Sequence, residues 1–87
     1  MTRVQVSQEV LEQTMVELTG HLALQIKRKG LGAFVSPHEG LGAVTEEFHE
    51  LVEAVRKDDA KSVDLESFDI AVAALWMVAS RKAGGMK

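Results

Sequence analysis

Glu46, Glu47 and Glu50, followed by Glu66 and Asp69, are the residues of this chain whose types and spacing could do chemistry. Glu47 and Glu50 stand three positions apart, and so do Glu66 and Asp69. On a helix that advances ~100° per residue, such pairs share a face. Like charges placed this way repel by roughly a few tenths of a kcal/mol per pair. A sequence that does so twice, amid apolar residues, is expected to hold something positive there. Four carboxylates suit a hard divalent cation. Mg2+ takes oxygen ligands and keeps waters and phosphates in its shell, and Mn2+ is the natural substitute. Zinc would need more nitrogen or sulfur donors. A cation held on carboxylates can polarise a phosphoryl oxygen, activate a water and neutralise leaving-group charge. Glu47, Glu50, Glu66 and Asp69 are therefore read as metal ligands of a site for a phosphate substrate. Glu46 is a fifth acid, able to orient the water or share a second ion.

Helices must position these groups, and the pattern supplies three. The first is expected from about Ser7 to Arg28, with Ser7 as N-cap and Leu11, Met15, Leu18, Leu22 and Ile26 as one apolar stripe. Lys27-Arg28-Lys29-Gly30 is its stop signal. Residues 30–35 read as an apolar loop. Ser36-Pro37-His38-Glu39 then combines an N-cap, a proline at the first helical position and a capping-box glutamate. The second helix is expected to run to about Lys57, with Leu41, Val44, Phe48, Leu51, Val52 and Val55 as its core face. Beside that face lies a stripe of Ala43, Glu47, Glu50 and Ala54, where small residues bracket two carboxylates. Residues 58–62 are expected to form a turn. The third helix is expected from about Val63 to Lys82, capped by Ser62 or Asp64. From Ile70 to Ala79 this helix is apolar on every side, which implies enclosure by other helices and a partner subunit. Glu66 and Asp69 continue into Ala73 and Trp76 along one of its stripes. The short link makes helices two and three antiparallel neighbours, which lets the four ligands face one another.

Composition bounds the rest. Eighty-seven residues make one domain (1–87), with residues 1–6 frayed and 83–87 a tail. A chain of this size buries only ~60–65% of its unfolded surface, so its own core is marginal and a homodimer or homotetramer is expected. There is no cysteine, so disulfides and thiolate zinc sites are excluded, and a cytoplasmic location is the expectation. The polar N-terminus does not read as a signal peptide, and the longest apolar run is too short to span a bilayer. A net charge of −3 with no basic face argues against a nucleic-acid polymer as partner. Nine of the thirteen acids fall between Glu46 and Asp69, a clustering that suits a cation site and equally an ordinary solvated face.

The pattern Glu46-Glu47-x-x-Glu50, fifteen residues, Glu66-x-x-Asp69 resembles that of the all-α nucleoside triphosphate pyrophosphohydrolases. This superfamily includes the MazG-like enzymes, the dimeric dUTPases and the phosphoribosyl-ATP pyrophosphatases. The motif and its helices cover about half of the chain. The resemblance implies Mg2+-dependent hydrolysis of an NTP or dNTP to the monophosphate and pyrophosphate, in nucleotide-pool cleaning. It implies that Glu47, Glu50, Glu66 and Asp69 hold the metal and that Glu46 and Glu50 serve catalysis. Many relatives carry further polar residues after the second motif, where this chain has the apolar run from Ile70 to Ala79. Phosphate contacts then fall to Lys27, Arg28, Lys29, Arg81 or Lys82. Phe34 and Trp76 are the candidates to stack on a base.

Plainer readings compete. The acids could be solvated helix faces paired with lysines, which suits Glu46 and Glu53 but not Glu66 and Asp69 on an apolar helix. The basic run at residues 27–29 suits a helix C-terminus as well as a phosphate. His38 and Glu39 read as cap residues, His49 as a surface residue and His21 as a surface residue or a polar edge of the first helix. Two rival functions follow. One is a non-catalytic metal- and nucleotide-binding helical oligomer or assembly subunit; the other is a structural interaction module.

Overall fold

The computed structural model describes residues 2–86. Among them it is all-helical: α1 spans Gln8–Lys29, α2 Pro37–Arg56 and α3 Ala60–Lys82, with no strand. This is the expected all-α bundle of three main helices. No helix among the described residues is long and apolar enough to cross a membrane.

Each helix starts on a side-chain cap. Ser7 Oγ accepts from the Val10 N–H at 3.1 Å, and Ser36 Oγ accepts from the Glu39 N–H at 3.2 Å, as the sequence indicates. Glu39 reaches back to the Val35 N–H at 3.0 Å, one residue before the cap. That bond holds its carboxylate at the helix entrance, away from the acidic cluster. α1 stops at Gly30, whose φ of 79° and ψ of −165° lie in a region open essentially to glycine alone.

The start of α3 corrects the sequence reading. The helix begins at Ala60, and its cap is Asp59 rather than Ser62 or Asp64. Asp59 Oδ1 accepts from the Ser62 N–H at 3.2 Å, and the Ser62 hydroxyl donates to Oδ2 at 2.8 Å. These bonds hold the Asp59 carboxyl below its ordinary pKa of 3.8. The turn is therefore only residues 57–59, with Asp58 in the left-handed region at φ 54°.

α2 and α3 are antiparallel, with Gly40 beside Met77 at one end and Glu47 beside Glu66 and Asp69 further along. The face of α2 that meets α3 takes in only part of the large apolar stripe: Val44, Leu51 and Val52 are half-buried. Leu41, Phe48 and Val55 remain 59%, 53% and 54% exposed. The buried residues of α2 are Gly40 and Ala54, which flank the stripe of Ala43 and Glu47. Small residues win because they let the two backbones approach. A Cβ on Gly40 would stand 2.9 Å from Met77 Cγ.

α1 packs on α3 and makes no extended contact with α2 among the described residues. The two run parallel: His21 stacks on Phe68 with ring centroids 4.5 Å apart and planes at 15°, and the Trp76 indole N–H donates to the Gly32 carbonyl at 2.9 Å. Only the second half of α1 is covered; residues 8–17 are exposed throughout.

Residues 83–86, expected as a free tail, fold back. The Met86 N–H donates to the Phe34 carbonyl at 3.0 Å, and the Phe34 N–H donates to Ser80 Oγ at 3.0 Å. Ser80, 2% exposed, thus ties the loop between α1 and α2 to the end of α3. Met1 and Lys87 lie outside the described residues.

Candidate metal centre

The antiparallel pairing of α2 and α3 brings Glu47 from the middle of one helix to Glu66 and Asp69 in the first turns of the other. One carboxylate oxygen of each lies within 4.8 Å of the others. Oε2 of Glu47 and Oε2 of Glu66 are buried and have no hydrogen-bond partner. The one salt bridge among the described residues joins Arg56 to Glu53 at 3.6 Å, on an exposed part of α2. No basic side chain of the described residues therefore pairs with the cluster, and Glu53 is the solvated residue the sequence indicates. Buried oxygens without donors are costly. Oxygen donors alone, converging and unpaired, fit a hard divalent cation.

Glu50 stands at the edge of this group. It is exposed and borders an open groove shared with His49, Glu53 and Glu66. Its oxygens are not among the three that converge, but it is close enough to raise the pKa of both Glu47 and Glu66. Burial is the first cause of both shifts; the second is the charge of Glu50 for Glu47 and hydrogen bonding with the Glu50 carboxyl for Glu66. Glu47 is pushed up from 4.5 to about 7 by burial, then by Glu50, Asp69 and Glu66. Burial and the neighbouring Glu50 and Asp69 raise Glu66 as well.

Beside the cluster lies a cavity of about 230 Å³ between α1, α2, α3 and the loop after α1. Glu46, Glu47 and Asp69 form its acidic wall. Phe34 and Trp76 border it, and Lys29 is its one cationic side chain. Of the sequence-derived candidates, Glu46, Lys29, Phe34 and Trp76 thus meet at one cavity. Lys27 does not line it; it is exposed in the last turn of α1. Trp76 is fixed by its bond to Gly32, and Phe34 by bonds at both its N–H and its carbonyl.

The sequence reading missed Gln25. It lines the same cavity, and its Oε1 is buried without a hydrogen-bond partner. The available signal was its place on α1: three residues after Leu22 and seven after Leu18, a polar residue intrudes on the covered apolar face. His21, one turn earlier, is the polar edge of that face, with its ring against Phe68.

No family model, no curated protein and no solved structure matches this chain.

Proposed function

We propose that this protein is a divalent-cation-dependent nucleoside triphosphate pyrophosphohydrolase, with Glu47, Glu66 and Asp69 holding the cation and Glu50 supplying further negative charge at their edge. The observation that carries the reading is the pair of buried, donorless oxygens on Glu47 and Glu66 within a cluster of converging carboxylates. The adjacent cavity supports it further, being bordered by two aromatic side chains and one lysine. Mg2+ is the cation the oxygen-only donor set favours, with Mn2+ as substitute. When bound, it would supply Lewis-acid polarisation and charge neutralisation at a phosphoryl group.

The chain's own residues would do the rest. Glu46, beside Glu47 and Asp69, accepts a proton from the attacking water. The water oxygen bonds to the α-phosphorus, the bond to the bridging oxygen breaks, and pyrophosphate leaves. Phe34 and Trp76 flank the base, Gln25 offers an amide to its edge, and Lys29 meets a phosphate. The role that fits is nucleotide-pool cleaning.

The test is a panel of NTPs and dNTPs with Mg2+, read as pyrophosphate release. Turnover of at least one, and its loss by about 100-fold or more in Glu50→Gln or Glu47→Gln, is expected. Release from none, or release untouched by both substitutions, would overturn the reading.

One observation favours a second reading. A single lysine borders the cavity, whereas a triphosphate brings several negative charges. A binding protein that holds cation and nucleotide without hydrolysis fits that shortage. It requires nucleotide-dependent thermal stabilisation with no pyrophosphate released.

A further inference from the structure

The loop between α1 and α2 has little packing of its own. Leu31 and Val35 are 74% and 73% exposed, and a Cβ at Gly30 or Gly32 would meet nothing within 4 Å. Yet this loop supplies one wall of the cavity, through Gly30, Gly32 and Phe34. A segment with so few apolar contacts keeps its shape through hydrogen bonds. Its ends are fixed to the flanking helices by Gly30 and Val35. Between them, three further bonds all come from α3 and the residues beyond it. The Gly32 carbonyl accepts from the Trp76 indole N–H at 2.9 Å, the Phe34 N–H donates to Ser80 Oγ at 3.0 Å, and the Phe34 carbonyl accepts from the Met86 N–H at 3.0 Å.

Ser80 joins this loop to the segment that folds back after α3. Its hydroxyl takes the Phe34 N–H, and its carbonyl takes the Gly85 N–H at 2.9 Å. The approach leaves room for glycine alone: a Cβ on Gly85 would stand 2.9 Å from both Ala33 Cβ and the Phe34 carbonyl oxygen. Gly84, at φ 92°, makes the reversal. Met86, at φ 58°, lies in the left-handed region that an L side chain disfavours. Strain of this kind persists where surrounding bonds hold it, and it gathers at clamps and switches. Here it falls on the residue whose N–H closes onto Phe34. Two backbone hydrogen bonds set against that strain make a contact that opens readily.

We propose that residues 84–86 are a releasable strap that positions the aromatic wall of the cavity. Closed, the strap fixes Phe34 on both sides and, through the loop, the Gly32 carbonyl that orients Trp76. Released, it leaves the Phe34 backbone on Ser80 alone, and both aromatic side chains loosen together. A ligand held between Phe34 and Trp76 closes the strap, and closure tightens that ligand by the same factor. The strap does not depend on what the cavity takes; its effect on a nucleotide rests on the proposed function.

The experiment uses the full chain and reads the coupling in both directions. Gly85→Ala opens the strap without touching a helix. Trp76 is the one tryptophan of the chain, so its fluorescence reports on the wall. In Gly85→Ala its emission should shift to the red and its quenching by acrylamide should rise about twofold or more, with the helical circular dichroism of the parent retained. In the other direction, Trp76→Phe keeps a ring but loses the donor to Gly32. The Met86 amide should then exchange with solvent about fivefold faster or more. An unshifted Trp76 emission in Gly85→Ala would overturn the proposal, and so would a Met86 amide that is unprotected in the parent or exchanges no faster in Trp76→Phe. NTPs and dNTPs with Mg2+ give a third arm. One that raises the melting temperature of the parent should slow exchange of the Met86 amide and bind about fivefold or more weakly to Gly85→Ala. Equal binding to both proteins would count decisively against the strap. If no nucleotide stabilises the parent, the proposed activity falls, and the two ligand-free arms still decide the strap.

Discussion

Glu47 is the residue at which burial, charge and ligand binding meet. In the folded chain it holds its proton well above the ordinary 4.5, up to about 7. A carboxyl whose folded pKa is raised contributes stability that is full below its unfolded pKa and is lost as pH rises through the folded one. Without divalent cations, the melting temperature should therefore fall as pH rises from about 4.5 to above 7. A cation takes the proton's place, so Mg2+ should raise the melting temperature more at about pH 8 than at about pH 6. Thermal melts at both pH values, with and without Mg2+, measure this. Glu66→Gln sharpens the contrast. It removes repulsion, so the cation-free protein should melt a few degrees higher at neutral pH, while the increment from Mg2+ shrinks or disappears. A structural module would show the first effect but never an increment from Mg2+ in the parent.

Two predictions belong to the elements. α3 begins on Asp59, whose carboxylate takes two bonds from Ser62. Asp59→Ala should lower stability, whereas Asp64→Ala should leave it nearly unchanged; urea melts separate the two. Asp59's pKa is lowered in the fold, so its contribution is present above about 3.8 and is lost as pH falls through the folded value. The α2–α3 contact rests on Gly40. Alanine there would gain ~0.5–1 kcal/mol in helix propensity. Its Cβ, however, would meet Met77 Cγ at 2.9 Å and Phe34 Cδ2 at 3.1 Å. The Phe34 backbone is tied on both sides, so its ring yields little. Overpacking costs ~1–3 kcal/mol, and Gly40→Ala should be destabilising by about 1 kcal/mol net. The same substitution pushes on the cavity wall and should weaken any ligand that stabilises the parent thermally.

At the scale of the whole molecule, the first half of α1 is exposed and the buried core is small, which makes the homodimer or homotetramer expected from the sequence testable by melting. A dimer whose folded monomer is marginal melts at a temperature that rises with protein concentration. Melts over a hundredfold range of concentration should shift upward; a melting temperature that stays fixed would count against that oligomer. Ser80→Ala tests a different connection. It removes the acceptor of the Phe34 N–H, which should loosen the loop over the cavity.

The sequence by itself determined the three helices, two of their caps and the acids that converge. Local rules act there: serine before an apolar run, proline at the first turn, glycine where a helix must reverse, and carboxylates three apart on one face. It misread the start of α3 because Asp59, Ser62 and Asp64 can all cap, and only the turn made by residues 57–59 chooses among them. It misread part of the face of α2, at Leu41, Phe48 and Val55, because hydrophobic periodicity marks an apolar stripe but not which stripe can come closest to a neighbour. Closeness favoured Gly40 and Ala54 over Phe48 and Val55. It passed over Gln25, whose meaning depends on a cavity made by all three helices and a loop. The tertiary structure decided those points and separated Glu50 from the three carboxylates whose oxygens converge. The spacing places Glu47 and Glu50 on one face, but the line along which α3 crosses that face sets which of them points at Glu66 and Asp69.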